Sequence, residues 1–396
     1  MPRNAVPTLT DAAGPEAVVL RGHGDADIEG CLEQCLDPLS QLWTTVPVPY
    51  SRDDARRFVR EAMPGGWGAD EEWGFAVEHR GTYAGTVSLR NERDGRAEIA
   101  YGSHPWVRGT GVMERALRLL LEWGFDAKEL HTVVWWANQG NWASRKVAWR
   151  LGFTFEGTVR SWLPQRGELR DAWVGTLLRS DKREPRTIWY DVPRIAGEQV
   201  VLRIHRDDDA LRVLEACTDE RTAYWLGELP RPYTMQLART FLSGRGEGMA
   251  QGTAVHWIVA DPQTDLLLGT VSLFDLETRH QAEVGYWTHP DARGRGVMTE
   301  AVRLAVRHAF TPVEGGGLAL RRVTLISATD NAASRHVAEE TGFIWAGTLR
   351  AMIKVRDGLR DGAVYDLLAE EVLDRPMAGT GLDHSARDSA ASRPGG

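Results

Sequence analysis

The sequence lacks features that mark several whole classes of protein. Its three cysteines, Cys31, Cys35 and Cys217, are too few for a disulfide framework, which favours a reducing, cytoplasmic environment. No apolar run reaches the roughly 18 residues of a membrane helix, and no signal-peptide pattern occurs near the start, so we expect no membrane partner. The formal net charge of -8 excludes a generally basic surface, and we expect no nucleic-acid partner.

Common catalytic and metal-binding motifs are also missing. The sequence has no HExxH, no paired CxxC, no GxSxG and no GxxxxGK[ST], so we predict no metal, hydrolase or P-loop site. Hydrophobic residues (42%) and charged residues (26%) are close to globular averages, which indicates a folded chain. Tryptophan is unusually frequent, with 16 residues against nine Phe and eight Tyr.

The chain contains one long pattern twice. Residues 98–113 (EIAYGSHPWVRGTGVM) reappear as residues 283–298 (EVGYWTHPDARGRGVM), with nine of 16 positions identical. Residues 141–153 likewise match residues 331–343 at eight of 13 positions. The offset is 185 residues at the first motif and 190 at the second. Solenoid repeats are only about 20–50 residues long, so this is a duplicated domain.

The duplication predicts the domain boundaries. The two domains are expected at residues 16–180 and 197–375. The charged, proline-bearing stretch 181–196 is expected to be a linker, and the Gly-, Ser-, Ala- and Asp-rich tail 376–396 to be disordered. In each copy, short strands alternate with helices whose apolar residues recur at i, i+3, i+4, i+7 and i+8. This pattern predicts an α/β or α+β sandwich.

Both copies have a strand, a glycine loop and a helix in succession. The loops are Arg108-Gly109-Thr110-Gly111-Val112-Met113 and Arg293-Gly294-Arg295-Gly296-Val297-Met298. Glycines let several backbone N–H groups point one way, and a helix N-terminus behind them attracts anions. Neither loop has the third glycine of the dinucleotide fingerprint. A plain strand-to-helix turn is the alternative, but two copies with an arginine in register favour a phosphate or pyrophosphate site.

Together these motifs resemble the GNAT N-acetyltransferase superfamily, in its ribosomal-protein-alanine (RimJ/RimL-like) branch. The family loop reads Arg/Gln-x-x-Gly-x-Gly/Ala, and both copies depart from it only at the last position, Met113 and Met298. The branch's second signature, Asn-x-x-Ser followed by a helix and Gly-Phe, is present twice, as Asn141, Ser144, Gly152-Phe153 and Asn331, Ser334, Gly342-Phe343. The resemblance implies two tandem GNAT folds, each a mixed, splayed, strongly twisted sheet flanked by helices.

The resemblance also implies acetyl-CoA as co-substrate, bound where two parallel central strands splay. All six residues of each loop (108–113 and 293–298) are then expected to bind the cofactor. Asn141 and Asn331 are expected to bond the pantetheine arm or to cap their helices. An amine would attack the thioester directly, which requires a neutral amine and protonation of the leaving thiolate.

Two carboxylates are candidates for the general base. Glu98 and Glu283 lie on the strands that enter the loops, where the family often has a base; alternatively they only fix a strand or an ion pair. Neutralising a lysine at pH 7 costs roughly 4–5 kcal/mol, against roughly 1 kcal/mol for an α-amine. Each copy offers a single candidate for the general base. An acceptor that is easily deprotonated is therefore favoured, which means a peptide N-terminus or a small molecule with a low-pKa amine.

The family's usual acid is missing from both copies. Many members protonate the thiolate with a tyrosine seven residues after the asparagine, but Ala148 and Ala338 stand there. The resemblance makes Ser144 and Ser334 the candidate acids. The alternative is a hydroxyl that bonds the backbone of its own helix.

The copies differ where an acceptor would bind. Tyr365 of the second copy, which we expect to line the substrate pocket with Trp287, corresponds to Gly175 in the first. The first copy has Trp135-Trp136 beside the cofactor gap, either filling core or reshaping the acyl slot or acceptor pocket. Eleven of the 16 tryptophans precede residue 180. We expect catalysis in the second copy, with the first either active, CoA-binding or architectural.

The predicted function is therefore an acetyl-CoA-dependent N-acetyltransferase acting on a primary amine of a peptide N-terminus or a small molecule. One alternative is an enzyme that modifies the amine of an antibiotic or metabolite. The other is a pseudoenzyme that binds acyl-CoA in one or both domains. The acceptor's identity, the length of the acyl group and the oligomeric state are left open by the residues.

Overall fold

The computed structural model describes residues 6–278 and 280–373, so the predicted disordered tail lies outside the described residues. The chain divides into two compact units, the first ending at Arg186 and the second beginning at Thr187. This boundary falls within the stretch 181–196 that was predicted to be a linker. No helix in the described ranges combines the length and apolar character needed to cross a membrane.

The predicted linker packs against the units rather than standing free. Arg118 donates a 2.5 Å hydrogen bond to the carbonyl of Arg183 in the first unit. In the second unit, Trp257 Nε1 donates to the carbonyl of Pro193 at 3.0 Å. Each half of the stretch therefore belongs to the unit that it adjoins.

The first unit has alternating strands and helices. Its strands are β1 (Leu9–Thr10), β2 (Val18–Arg21), β3 (Glu72–His79), β4 (Thr82–Arg93), β5 (Arg96–Ser103), β6 (Thr132–Asn138), β7 (Thr154–Gln165) and β8 (Glu168–Leu178). Its α-helices are α1 (Ile28–Leu36), α2 (Pro38–Trp43), α3 (Arg52–Arg57), α4 (Met63–Ala69), α5 (Val112–Ala127) and α6 (Trp142–Arg150). A π-helical turn, Phe58–Ala62, joins α3 to α4.

The second unit repeats this order. Its strands are β9 (Ile195–Ala196), β10 (Val201–Arg203), β11 (Val255–Ala260), β12 (Leu267–Phe274), β13 (Gln281–Thr288), β14 (Arg322–Ala328), β15 (Ile344–Val355) and β16 (Gly358–Leu368). Its α-helices are α7 (Ala210–Thr218), α8 (Glu220–Trp225), α9 (Met235–Gln251), α10 (Val297–Phe310), α11 (Ala332–Glu340) and α12 (Ala369–Leu373).

Each unit is built on an eight-stranded mixed sheet, ordered β1-β2-β3-β4-β5-β6-β8-β7 and β9-β10-β11-β12-β13-β14-β16-β15. One neighbouring pair in each sheet is parallel, β5 with β6 and β13 with β14. The second pairing is short, because only Gln281–Glu283 of β13 pairs with β14. The rest of β13 bonds β12 alone, so a gap opens on its other side. The predicted mixed, splayed sheet is confirmed.

Helices cover both faces of each sheet. Counted from Met113, the positions of α5 at i, i+3, i+4, i+7 and i+8 are all buried, among them Leu117, Leu120 and Leu121, and α10 follows the same pattern from Met298. Fully burying such a side chain contributes roughly 1.5–3 kcal/mol. The opposite face is covered by helices that include α1 and α3 in the first unit, and by α7 and α9 in the second.

Much of the tryptophan excess in the first unit forms aromatic packing. One group, with ring centroids 5.2–6.0 Å apart, consists of Trp67, Trp73, Phe75 and Trp123. A second group surrounds the buried guanidinium of Arg145 at 3.8–5.3 Å and consists of Trp142, Phe155 and Trp173. These side chains fill core, as polarisable rings commonly do.

Candidate active site

The glycine loops have a backbone that only glycine adopts readily. Gly109 and Gly111 have φ angles of 78° and 82°, and Gly294 and Gly296 have 71° and 76°. An added Cβ would meet nothing within 4 Å at any of the four, so the backbone angle rather than crowding requires glycine, and the space above the loop is open. Gly111 and Gly296 are the N-caps of α5 and α10 and have no side chain to cap the first N–H groups, although Thr110 Oγ1 accepts a long 3.5 Å bond from the Val112 N–H in the first unit.

The last two residues of each loop are buried, and in the second unit Val297 and Met298 also border a cavity. Val112 and Val297 are buried at 2% exposure, and the Met113 and Met298 side chains are buried beside them. The Met298 methyl reaches within 2.9 Å of where a Cβ at Gly269 would lie. Methionine in place of the family's small residue therefore fills core and does not block the loop.

In the second unit the loop opens into a cavity of about 450 Å³. Its wall combines Gly294 and Gly296 with Asn331, Ser334 and the segment 286–288 of β13 that extends beyond the parallel pairing. Trp287, predicted to bind substrate, lies on this wall. The cavity therefore joins the gap between the splayed strands to the glycine loop. Cofactor-binding candidates from both motifs line it.

A tyrosine contacts the candidate serine in both units. Tyr286 Oη lies 3.0 Å from Ser334 Oγ, and Tyr101 Oη lies 2.7 Å from Ser144 Oγ. Burial raises the pKa of each tyrosine to about 12, so both phenols hold their protons at neutral pH. No sequence motif singled out these tyrosines. Their signal was identity between the two copies, three residues after the candidate base.

The asparagines cap their helices. Asn141 Oδ1 accepts a hydrogen bond from the Ser144 N–H at 3.1 Å, and Asn331 Oδ1 accepts one from the Ser334 N–H at 3.3 Å. This contact holds each serine in the first turn, where its hydroxyl meets the tyrosine. Of the two roles expected for the asparagines, the structure contains the cap.

The candidate bases have different surroundings. Arg90 Nη1 donates to Glu98 Oε1 at 3.1 Å, whereas the strand position opposite Glu283 is Phe274. Burial raises the pKa of both carboxyls; the Arg90 charge opposes the rise at Glu98, whereas Asp275 adds to it at Glu283. Among the described ion pairs, none involves Glu283, so its carboxylate is the less neutralised of the two.

The base and the tyrosine of one strand face opposite ways. Glu283 and Tyr286 are three residues apart on β13, and strand side chains alternate between faces. Tyr286 lines the cavity that meets the glycine loop, and Glu283 points to the other side of the sheet. An amine and a leaving thiolate could therefore meet different groups on the two sides of the strand.

Comparison with known proteins identifies the family. The family model described as the acetyltransferase (GNAT) domain matches residues 17–154 and again residues 199–344. The chain belongs to the GNAT family. The expectation of an N-acetyltransferase made of two tandem GNAT folds is confirmed.

Named relatives match one GNAT unit at a time. The "Putative ribosomal N-acetyltransferase YdaF" of Bacillus subtilis (strain 168) is 30% identical over 188 residues, covering 46% of this chain and 96% of YdaF. The ribosomal-protein-serine acetyltransferase of Escherichia coli (strain K12) is 30% identical over 102 residues, covering 26% of this chain and 54% of that protein. A solved ribosomal-protein-S5-alanine acetyltransferase from Vibrio fischeri is 20% identical, with a TM-score of 0.40, covering 46% of this chain and all of that one (100%).

The loop arginines of both GNAT units bind carboxylates of the chain itself. Arg108 Nη2 donates to Asp37 Oδ1 at 2.6 Å, and Arg293 Nη2 donates to Asp219 and to Thr222 Oγ1, the latter at 2.7 Å. Both aspartates are N-caps, of α2 and α8. The arginines thus tie the helical pair near the start of each unit to the loop. The expected cofactor contact of Arg108 and Arg293 stays a prediction; the contacts observed are with these N-cap residues and Thr222.

The middle loop residues differ between the two GNAT units. Thr110 Oγ1 donates to the carbonyl of Val107 at 2.7 Å and so stabilises its own turn. Arg295 occupies the same position in the second unit and is exposed. A cationic side chain is thus available at this loop only in the second unit.

Tyr365 requires a correction. Its side chain is 2% exposed and belongs to the core, where Arg335 Nε donates to its hydroxyl at 3.1 Å. It pairs across β14 with Leu325, whereas the equivalent pair in the first unit is Gly175 with Trp135. The large side chain of this pair is thus on β6 in the first unit and on β16 in the second. Tyr365 therefore fills core volume instead of lining a substrate pocket.

Trp135 has a second contact that Leu325 cannot make. Its Nε1 donates to Ser144 Oγ at 3.0 Å, so the first-unit serine bonds an indole as well as Tyr101. Trp136 points to the opposite face and stacks on Trp162, with centroids 5.6 Å apart.

Within the described ranges, no group of three or more His, Cys, Asp or Glu side chains could hold a metal ion.

Proposed function

We propose that the chain transfers an acetyl group from acetyl-CoA directly to a primary amine, and that the second unit is the catalytic one. The observation that carries this proposal is the 450 Å³ cavity, which joins the glycine loop to the gap beside β13 and to the Tyr286–Ser334 pair. A cavity of this size and mixed lining is typical of a small-molecule site.

The loop residues fit a pyrophosphate. The open space above Gly294 and Gly296, and the uncapped N–H groups at the start of α10, suit an anion that bonds backbone donors. Arg295, exposed on the loop, adds a cationic side chain. Bound acetyl-CoA supplies the thioester that the amine attacks.

The two proton transfers of the reaction then take place on opposite faces of β13. Glu283, whose pKa is raised by burial, accepts the proton of the attacking amine on one face. Tyr286, protonated at neutral pH and bonded to Ser334, donates a proton to the leaving thiolate on the other face. Ser334 positions the phenol and can relay its proton. This assignment gives the acid role to the Tyr–Ser pair rather than to the serine alone.

A protein or peptide N-terminus is the favoured acceptor. The relatives named above include proteins named as ribosomal and ribosomal-protein-serine acetyltransferases. An α-amine is also cheaper to deprotonate than a lysine by roughly 3 kcal/mol, which suits a site with a single carboxylate base.

We propose a second role, acyl-CoA binding without turnover, for the first unit. Its glycine loop has the same geometry, but Glu98 is paired with Arg90 and Ser144 already accepts from Trp135. A neutralised base and an occupied serine lower the expected catalytic rate without affecting the loop. The first unit would then serve as a CoA-responsive or architectural partner.

Release of free CoA from acetyl-CoA tests both proposals. The wild type is assayed over a panel of short peptides with free N-termini, small amines and an amine-bearing antibiotic. Turnover confined to the antibiotic or to small amines would replace the peptide assignment. Acetyl-CoA binding without turnover across the whole panel would contradict the enzymatic proposal.

Matched loop variants locate the working site. Gly296→Glu places a carboxylate where the pyrophosphate should bind in the second unit, and Gly111→Glu does the same in the first. We expect the first variant to abolish turnover and the second to leave it within about twofold, while each removes one acetyl-CoA site in calorimetry. Loss of turnover in Gly111→Glu alone would reverse the assignment of units.

A further inference from the structure

A histidine lies just before the glycine loop in both units. His104-Pro105 and His289-Pro290 occupy the same place in the repeated pattern, four residues before the loop arginines. Each histidine is the N-cap of a short helical turn, Pro105–Val107 or Pro290–Ala292, that leads into the loop. The His289 N–H also donates to the Leu268 carbonyl at 2.8 Å, so this turn begins at the edge of the sheet. No step of the proposed reaction uses either histidine side chain.

The His289 imidazole lies between two carboxylates. The ring is buried; Nε2 is 3.2 Å from Glu215 Oε2 on α7, and Nδ1 is 2.7 Å from Asp291 Oδ1 on the turn itself. The Asp291 backbone N–H is farther from the same nitrogen, at 3.4 Å. A neutral imidazole donates only one hydrogen bond, so the ring bonds both carboxylates only when it is protonated. Such charge-assisted bonds are roughly twice as strong as neutral ones.

An arginine joins the same two elements. Arg212 of α7 donates to both carboxylate oxygens of Asp291, at 2.8 and 2.9 Å, and its Nε donates to the Leu267 carbonyl at 3.0 Å. The hydrogen bond from Arg212, with a smaller contribution from His289, lowers the pKa of Asp291 to about 2, so this carboxylate is ionised at neutral pH. The four side chains of His289, Glu215, Arg212 and Asp291 are called the His289 cluster below.

The His289 cluster connects two walls of the 450 Å³ cavity. One wall is α8, which follows α7 after a single residue and contributes Trp225 among others. The opposite wall is the end of the turn and the glycine loop, which contribute Ala292 and Gly294. Because the cluster bonds the turn to α7, it limits how far these two walls can move apart.

The first unit keeps only one contact of this kind. His104 Nε2 lies 3.2 Å from Glu33 Oε2 on α1, which repeats the contact with α7. The turn after His104 has Trp106 at the place of Asp291, so it offers no carboxylate. The Trp106 Nε1 donates instead to the Tyr83 carbonyl at 3.0 Å. The turn of the first unit is thus joined to its helix by one ionisable pair.

The arginine has no counterpart in the first unit. Gly30 stands three residues before the glutamate of α1, as Arg212 stands three residues before the glutamate of α7. A Cβ at Gly30 would lie 2.6 Å from the Tyr83 ring, which leaves no room for a long side chain. The complete His289 cluster is therefore specific to the second unit, the one proposed to be catalytic.

We propose that His289 is a positioning residue for acetyl-CoA in the second unit, where its cluster holds the glycine loop at a fixed distance from α8. The inference rests on the proposed function, because it assumes that acetyl-CoA binds in this cavity. The imidazole acts only through the backbone that it anchors. A loop that is not held in place must be ordered when the cofactor binds, so loss of the cluster weakens binding and leaves the chemical step nearly unchanged.

Substitution at the exposed end of the cluster tests this in the full-length protein. The Glu215 side chain is 46% exposed, so Glu215→Ala should fold, and Glu215→Gln keeps an oxygen that accepts from Nε2. We expect Glu215→Ala to raise KM for acetyl-CoA about tenfold with kcat within about twofold of wild type, and Glu215→Gln to restore most of the affinity. Glu33→Ala breaks the matching contact in the first unit and, as the control, should change neither constant. Equal KM values for Glu215→Ala and wild type would overturn the inference.

The histidine and the glutamate should act as one unit. His289→Gln replaces two ring nitrogens by a single amide and should raise KM for acetyl-CoA about as much as Glu215→Ala. The double variant should be no worse than the more affected single variant, since each substitution already breaks the same cluster. Additive increases in KM would contradict a shared positioning role.

Hydrogen exchange separates this inference from the proposed function. Without acetyl-CoA, the backbone amides of residues 293–298 should exchange several-fold faster in Glu215→Ala than in wild type, while those of residues 108–113 should not change. That result would support the positioning role even if the assay showed no turnover. Unchanged exchange, together with unchanged acetyl-CoA affinity in calorimetry, would refute the positioning role while leaving any observed acetylation valid.

Discussion

At the scale of single residues, the two units show how one neighbour changes an identical pair of hydroxyls. Tyr286–Ser334 and Tyr101–Ser144 have the same geometry, but only Ser144 also accepts an indole N–H. An oxygen that already accepts one bond has one lone pair fewer for a proton relay. The difference depends on Trp135, which lies on a different strand from the tyrosine.

Removing the Tyr286 hydroxyl tests its role as acid. We expect Tyr286→Phe to lower kcat by about 10²-fold, since a positioned acid contributes roughly 10²–10⁴-fold. Tyr101→Phe is the matched control in the first unit and should change kcat by less than about twofold. Steady-state release of free CoA measures both, and equal losses in the two variants would contradict the assignment of roles.

Removing the Glu283 carboxylate tests the base. A base must be ionised to act, and burial raises the pKa of Glu283, so wild-type kcat/KM should fall as pH drops through a value above that of an ordinary glutamate. Glu283→Gln should lower kcat/KM by about 10²-fold and abolish this acid limb. Glu98→Gln should keep both the rate and the limb. A pH–rate profile of the three proteins decides, and a limb that persists in Glu283→Gln would exclude the carboxylate as its origin.

The same carboxylate should lower stability at neutral pH. A carboxyl whose pKa is raised in the folded state contributes stability below its unfolded pKa, and this is lost as pH rises through the folded pKa. Glu283→Gln should therefore raise the melting temperature at pH 7–8 but not at pH 4. The pKa of Glu98 is also raised by burial, but Glu98→Gln breaks the ion pair with Arg90 as well, so its gain at pH 7–8 should be smaller. Thermal denaturation at the two pH values measures the change in melting temperature. An increase at pH 4 alone would mean that the ionised carboxylate stabilises the fold, contrary to this prediction.

At the scale of elements, strands and helices follow from sequence patterns, whereas cross-strand partners do not. The periodicity of α5 and α10 predicts their buried faces, and the pattern within each copy predicts that short strands alternate with helices, as they do. The sequence shows that Trp135 and Tyr365 each occur in only one copy. Trp135 faces Gly175 in the first unit, whereas Leu325 faces Tyr365 in the second, so the large side chain lies on a different strand in each. This can be seen only from the register of β6 with β8 and of β14 with β16.

This exchange predicts compensation between two substitutions. Trp135→Leu should lower the free energy of unfolding of the first unit by about 2–3 kcal/mol, because it leaves a cavity next to Gly175. Adding Gly175→Tyr should recover part of that loss, although a Cβ there comes within 2.8 Å of the Thr154 carbonyl. Gly175→Tyr alone should destabilise. Urea unfolding of the three variants measures the coupling, and additive effects would show that the two positions are independent.

At the scale of the whole molecule, each unit closes its own sheet and core. Core residues of the first unit come from residues 18–177 and those of the second from residues 200–367. A unit with its own core and sheet has what an independently folding domain needs.

Separate expression tests this independence. We expect residues 1–186 and residues 187–396 each to melt cooperatively, with turnover only in the second fragment. Circular dichroism and release of free CoA are the measurements, and full-length protein is the reference. An unfolded second fragment, or turnover confined to the first, would contradict the division of structure and function between the units.

The sequence by itself determined the duplication, the two glycine loops and the paired asparagine–serine motifs, because each is a short pattern repeated along the chain. Which distant residues come into contact at the candidate sites was decided by the tertiary structure. Tyr286 meets Ser334, Arg293 meets Asp219 and His289 meets Glu215 only through strand register and helix packing. Local patterns specify helices, strands and turns, but contacts between distant segments depend on how those elements pack.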